Sequence, residues 1–170
     1  SFSVISGATS SSYTPDASSA GTTYYKVKVL DSQGGCGTVT SNEVSQTIDA
    51  DPSISSQPSS GSDVCVGGTA ATMSVTVTGG SGSYTYQWQS ASSSGGSYSN
   101  ISGETNSTYT PSSASAGTTY FKVVVSDSQG GCNAVTSSEV SQTIDADPSI
   151  SSQPSSGSDV CVGGTAATMS

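Results

Sequence analysis

Cys36 and Cys132 lie 96 residues apart, and so do Cys65 and Cys161. The interval is a period of the whole chain. Residues 1–74 align with 97–170 with 14 differences in 74 positions, about 81 % identity. AGTTYYKVKVLDSQGGC at 20–36 returns as AGTTYFKVVVSDSQGGC at 116–132, and Glu43–Ser74 matches Glu139–Ser170 without a change. A unit of this length is the size of one β-sandwich domain, and it excludes solenoids, whose repeats run to about 20–50 residues.

The clearest boundary is Asp49-Ala-Asp-Pro52, repeated as Asp145-Ala-Asp-Pro148. Proline has no N–H to give a ladder and holds its preceding residue extended, so the join is expected to be short and stiff. Three segments follow: 1–50 as the C-terminal part of a repeat, 51–146 as a complete repeat, and 147–170 as the N-terminal part of the next. Two full repeats would need 192 residues, and the 22 that are lacking correspond to 75–96, which hold the single Trp. The chain is therefore expected to be a window on a longer array.

Within 51–146 the pattern is of strands. Met73, Val75 and Val77 alternate with Ser74, Thr76 and Thr78, and Gly79-Gly80 marks the turn that follows. Tyr84, Tyr86 and Trp88 share one face of the next strand. Phe121, Val123 and Val125 share a face of the strongest one, whose other face carries Lys122 and Val124. The earlier repeat has Lys28 where Val124 stands, so the Phe121 face is assigned to the core. Shorter strands are expected near 53–57, 64–66, 98–101 and 108–110, and a last one near 137–144 with Val140 and Ile144 inward. The expected fold is all-β, a sandwich of about seven short strands repeated with a 96-residue period.

Composition narrows the function. Ser and Thr number 43 and 21 of 170, only 9 % of residues are charged, and the net charge is −9. His and Arg are absent, and the cations are Lys26, Lys28 and Lys122. Nucleic-acid phosphate and anionic lipid both need clustered cations, so neither is an expected partner, and no direct membrane insertion is expected of this stretch. Catalysis through His and His-ligated zinc are excluded outright. Glu104, Glu139 and the aspartates offer no pair set in a cleft for acid/base work. No catalytic residue and no bound cofactor are expected, and the chain is read as non-enzymatic.

Val64-Cys-Val-Gly67, Tyr86-Gln-Trp-Gln89, Asn100-Ile-Ser-Gly103, Gly117-Thr-Thr-Tyr-Phe-Lys-Val123 and Gly131-Cys132 together resemble the immunoglobulin-like and polycystic-kidney-disease-like tandem repeats of large bacterial surface adhesins and secreted fibre proteins, common in the Bacteroidota. The likeness covers essentially the whole chain. Antibody-type domains carry a cysteine on the strand before the Trp and another on the strand of Phe121, where this chain has aliphatic residues such as Val75 and Val123. The resemblance implies an extracellular, cell-surface array forming an extended stalk or filament. Its partners would be neighbouring repeats, other fibres by lateral association, and surface glycans or cell-surface targets. The alternative function is a carbohydrate-binding accessory module using Tyr84, Tyr86 and Trp88 as a platform.

Two cysteine pairings respect the period: Cys65–Cys132 within one repeat, or Cys36–Cys65 with Cys132–Cys161 across joins. The resemblance implies Cys65–Cys132, which also makes each repeat self-contained and leaves Cys36 and Cys161 to partners outside the window. That pairing requires a segment before the second strand and one after the sixth to meet at one end of the sandwich. Asp49, Asp51, Asp145 and Asp147 are weak calcium candidates at the joins, with Asp127 as a further oxygen donor, because Ca²⁺ takes six to eight oxygens. Solvated turn residues are the plainer reading of the same aspartates. Asn100 and Asn106 fit the N-glycosylation pattern, as chance also allows in so Ser-rich a chain.

Overall fold

Alternation of apolar and polar residues decides which face of each strand is covered, and the computed structural model follows it closely. It describes residues 1–33 and 36–168, and the regular structure there is entirely β. The first fifty residues contribute β1 (Gly21–Tyr25), β2 (Lys28–Val29), β3 (Val39–Thr40) and β4 (Val44–Ile48). Then come β5 (Ser53–Ser56), β6 (Val64–Cys65), β7 (Met73–Ser74), β8 (Thr76–Thr78) and β9 (Tyr84–Ala91). The set is completed by β10 (Ser99–Asn100), β11 (Thr108–Tyr109), β12 (Gly117–Asp127), β13 (Val135–Thr136) and β14 (Val140–Asp145).

Residues 53–145 form two facing layers. The larger sheet has the order β10-β9-β12-β14-β6, with β13 also paired to β12. It is antiparallel except at its edge, where β6 runs parallel to β14. The opposing layer is built on the stretch Met73–Thr78, whose first half pairs with β11 and whose second half pairs with β5. Between the layers lie Met73 and Val75 from one side and Trp88, Phe121, Val123, Val125 and Val140 from the other. Trp88 is fully buried, its ring beside Tyr109 at 5.5 Å, and its indole N–H donates to the Asn106 carbonyl at 2.9 Å. An indole needs such a partner when it is removed from water.

The last strand departs from expectation. The pattern predicts it over 137–144, but it begins only at Val140, and a separate short strand, β13, comes before the break at 137–139. The Ser137 N–H donates to the Val123 carbonyl at 2.9 Å, and its hydroxyl accepts the Val123 N–H at 3.0 Å. Past the break, Val140 and Ile144 face inward, and so does Gln142 between them, with 1 % of its surface exposed. Its amide donates to the Ser62 and Thr143 carbonyls, while its Oε1 has no partner among the described residues. Gly61 faces that oxygen so closely that a Cβ there would lie 1.9 Å from it.

The hairpin of β12 and β14 recurs 96 positions earlier, residue for residue. Gly117 opposite Ile144 and Phe121 opposite Val140 correspond to Gly21 opposite Ile48 and Tyr25 opposite Val44. Even the hydroxyl pair Thr118–Thr143 has its counterpart in Thr22–Thr47. What differs is cover. Val123, Val125 and Val140 are 0, 0 and 6 % exposed, whereas Val27, Val29 and Val44 are 53, 59 and 64 % exposed. The cause is arithmetic, since residues 1–50 include no counterpart of 51–96, the segment that supplies β5, β7 and β8 of the opposing layer.

This contrast sets a test on two equivalent positions. Val140→Ala should lower the unfolding free energy by about 1.5–3 kcal/mol, the cost of two buried methyls and the cavity they leave. Within this 170-residue stretch, Val44→Ala should stay within about 0.5 kcal/mol, as for an exposed site. Urea denaturation of the two variants checks both.

Candidate functional site at the Asp-Ala-Asp-Pro join

A stiff linker was the expectation for 49–52, and the structure adds that the linker is held by the sandwich it leads into. Pro52 is buried immediately before β5. The Ala50 carbonyl accepts the Gly80 N–H at 2.7 Å and the Cys132 thiol at 3.8 Å. The Asp51 carboxylate takes two bonds from Asn133, from its N–H at 2.9 Å and from its side-chain amide at 2.8 Å. The side-chain amide of Asn133, then its backbone N–H, hold the Asp51 carboxyl below the usual carboxylate range.

Two loops make this grip, the β8–β9 turn and the β12–β13 loop, and a buried carboxylate ties them together. Asp127, the last residue of β12, accepts the Ser81 N–H at 2.6 Å, the Ser81 hydroxyl at 2.9 Å and the Gln129 N–H at 2.8 Å. The backbone N–H groups of Ser81 and Gln129 hold its carboxyl low, against the opposing effect of burial. The turn needs glycine at two adjacent places. Gly79 has φ +80°, and a Cβ there would come within 2.8 Å of the Asp51 carbonyl oxygen. Gly80 has φ +59°, and a Cβ there would come within 2.4 Å of Asp127 Oδ2. Neither conformation suits a residue with a side chain.

A second polar cluster pins the long loop after β9. Glu139 accepts the Ser94 hydroxyl at 2.6 Å, the Gly95 N–H at 2.9 Å and the Tyr98 hydroxyl. The Lys122 ammonium lies 4.5 Å from the centre of the Tyr98 ring. The Ser94 hydroxyl foremost, with Tyr98 and Gly95, holds the Glu139 carboxyl down at about 2. Burial first, then the bond to Glu139, pushes the Tyr98 phenol up to about 12.

The disulfide expectation is corrected. All four cysteines are free thiols. Cys65 lies opposite Asp145 in the parallel β6–β14 pair, at the end of the sandwich where Gly117 of β12 faces Ile144. Cys132 follows the other end of β12, next to Ala50. The ten steps from Gly117 to Asp127 measure about 33 Å at ~3.3 Å each, far beyond the ~7 Å that a disulfide can bridge. Both ends of a sandwich cannot share one bond. Burial, then the Asp127, Asp51 and Asp49 carboxylates, push the Cys132 thiol up.

The other sequence candidates fall in different places. Asp49, Asp51, Asp145 and Asp147 are exposed, and Asp51 and Asp127 are engaged as described. Among the described residues, no three Cys, Asp or Glu side chains converge into a metal-binding group. Asn100 and Asn106 are both exposed, Asn100 accepting a bond from Gln89 and Asn106 supplying the carbonyl that holds Trp88. Trp88 is core, while Tyr84 and Tyr86 are half-buried against it. Sequence reasoning missed Asn133, Gln142 and the bracing role of Glu139. Asn133 replaces Gly37 of the earlier repeat, a difference that was visible but had no evident partner.

Two layers, a buried Trp on the inner face of β9 and an edge strand that runs parallel to the last strand define the chain as an immunoglobulin-like β-sandwich. More particularly, it belongs to the family described as Domain of unknown function (DUF8696), which matches residues 1–50 and 55–146. No curated protein matches the chain in sequence. Among solved structures it is similar to Sidekick-1 immunoglobulin domains 1–5, at 17 % identity and a TM-score of 0.43, over 84 % of this chain and 30 % of that one. Among the described residues no helix is long and apolar enough to cross a membrane.

Carboxylates held below their ordinary values favour the folded state at neutral pH, and that contribution fades as pH falls through the lowered values. For Glu139 the window runs from its ordinary 4.5 down to about 2. Thermal melts should therefore show stability falling through this range. Glu139→Gln should flatten the fall and lower the melting temperature at pH 7, where the wild-type carboxylate is ionised. An acid limb unchanged by the substitution would contradict the bracing role.

Proposed function

We propose that this chain is a stretch of tandem immunoglobulin-like repeats from an extracellular surface protein, serving a structural and adhesive role as an extended stalk or filament. The role is mechanical and non-enzymatic. The observation that carries it is the grip on the join. Gly80, Cys132 and Asn133 fasten Ala50 and Asp51 onto the sandwich that follows, which limits the freedom of the connection. The 96-residue period, with Asp49-Ala-Asp-Pro52 recurring as Asp145-Ala-Asp-Pro148, supports the reading of successive similar domains. The Ser/Thr-rich, acidic surface supports solubility of a long repeated structure. Its partners on this reading are neighbouring repeats, laterally associated copies, and a glycan or cell-surface target. The carbohydrate-module alternative loses its main support, because Trp88 is fully buried and offers no platform.

The ten steps of β12 span about 33 Å at ~3.3 Å each, and with the loops at both ends a chain of three or more complete repeats should lengthen by about 40 Å per repeat. Small-angle scattering measures this increment. Asp51→Ala, which removes both Asn133 bonds, should broaden the distribution of lengths. Growth with only the square root of repeat number, as for a flexible linker, would overturn the stalk.

A further inference from the structure

The four free thiols are arranged so that no two can pair within one repeat, yet each repeat places one at its incoming end and one at its outgoing end. Cys132 touches the Ala50 carbonyl of the incoming join. Cys65 lies opposite Asp145 of the outgoing join, and the neighbouring Val66 N–H donates to the Asp145 carbonyl at 3.0 Å. The two joins are the same sequence, because Glu43–Ser74 and Glu139–Ser170 are identical. Ala146 is thus the counterpart of Ala50. Where one complete repeat follows another, the cysteine after β12 of the second repeat is placed against the residue adjacent to Asp145, beside Cys65 of the first.

We propose that Cys65 of each repeat forms a disulfide with the Cys132 counterpart of the repeat that follows, stapling each join. Each leg of the path between them is short: about 4.8 Å from Cys65 across to Asp145, about 3.8 Å on to Ala146, and a thiol-to-carbonyl contact of 3.8 Å at the equivalent Ala50. A small shift of the loop tip brings the Cα atoms to the roughly 4.4–6.8 Å of a disulfide. Cys65 is exposed, and Cys132 is half-exposed at the tip of its loop. The bond forms by exchange with a small disulfide oxidant such as oxidised glutathione. One cysteine thiolate attacks the oxidant and releases one glutathione thiol, and the second cysteine thiolate then attacks the mixed disulfide and releases the other. Two S–H bonds are lost, one S–S bond forms, and the two electrons and two protons end on two glutathione molecules. The same geometry excludes Cys36–Cys65, since those residues occupy the far ends of two successive repeats. The inference rests on the reading of the chain as successive repeats, but not on an adhesive role.

The test is the full chain extended after Ser170 by a second copy of residues 75–146, which completes the following repeat and adds a fifth cysteine to the four present. After equilibration in a glutathione redox buffer, the folded chain should titrate three free thiols. Non-reducing peptide mapping should join the Cys65 peptide to the copy of Cys132. Cys65→Ser should abolish this link and leave four free thiols, with the circular dichroism spectrum unchanged. A Cys65–Cys132 link, five free thiols in the folded oxidised chain, or disulfides found solely between chains would each overturn the proposal. Scattering from the same sample separates the two ideas: an extended pair of repeats without the bond defeats the staple alone.

Discussion

The pairing of β12 with neighbours on both sides is the interaction on which the rest of the sandwich depends. Its eleven residues meet β9 along one edge over eight positions, from Tyr120–Ala91 to Asp127–Tyr84, and β13 and β14 along the other. A strand satisfied on both edges presents its inner side chains as a fixed row, and Phe121, Val123 and Val125 fill that row. Trp88 lies in register with Val123, which places the largest side chain of the core over its middle. The same strand ends in Asp127, so the central ladder also sets the position of the loop that holds the incoming join.

A chain with so few apolar residues builds a thin core, and polar clusters brace its periphery. Asp127 ends β12, Glu139 directly precedes β14 and Gln142 lies within it, and they reach loops that are distant in sequence, near Ser81, Ser94 and Ser62. Buried or half-buried acceptors of this kind are stable only when donors converge on them. Two use Ser hydroxyls and backbone N–H groups, which this composition supplies in abundance. Gln142 instead donates from its own amide, and the absence of a side chain at Gly61 gives its oxygen room. Two neighbouring glycines serve the join similarly, letting the turn backbone approach Asp51 and Asp127.

Cysteine placement shows how the period and the fold carry different information. The spacing of Cys65 and Cys132 within one period invites an internal bond, because both residues belong to the same repeat. Antiparallel pairing sends successive loops to alternate ends of a sandwich, and the parallel β6 strand brings Cys65 to the end opposite Cys132. Cys65 and Cys132 therefore lie at opposite ends of the sandwich, one opposite Asp145 and the other beside Ala50.

Much of this protein was legible as sequence. The all-β character and the inward residues Met73, Val75, Trp88, Phe121, Val123, Val125, Val140 and Ile144 follow from local pattern. Alternation along one strand is enough to reveal a covered face. The net charge of −9 and the lack of His and Arg likewise narrowed the chemistry without a fold. Tertiary structure alone decided which ends of the strands meet. The break at Ser137, the burial of Gln142 against Gly61 and Ser62, the hold of Asn133 on Asp51 and the separation of Cys65 from Cys132 each depend on residues that are distant along the chain. No local pattern encodes such pairs, because they depend on strand order and register, which are set when the two layers close over Trp88.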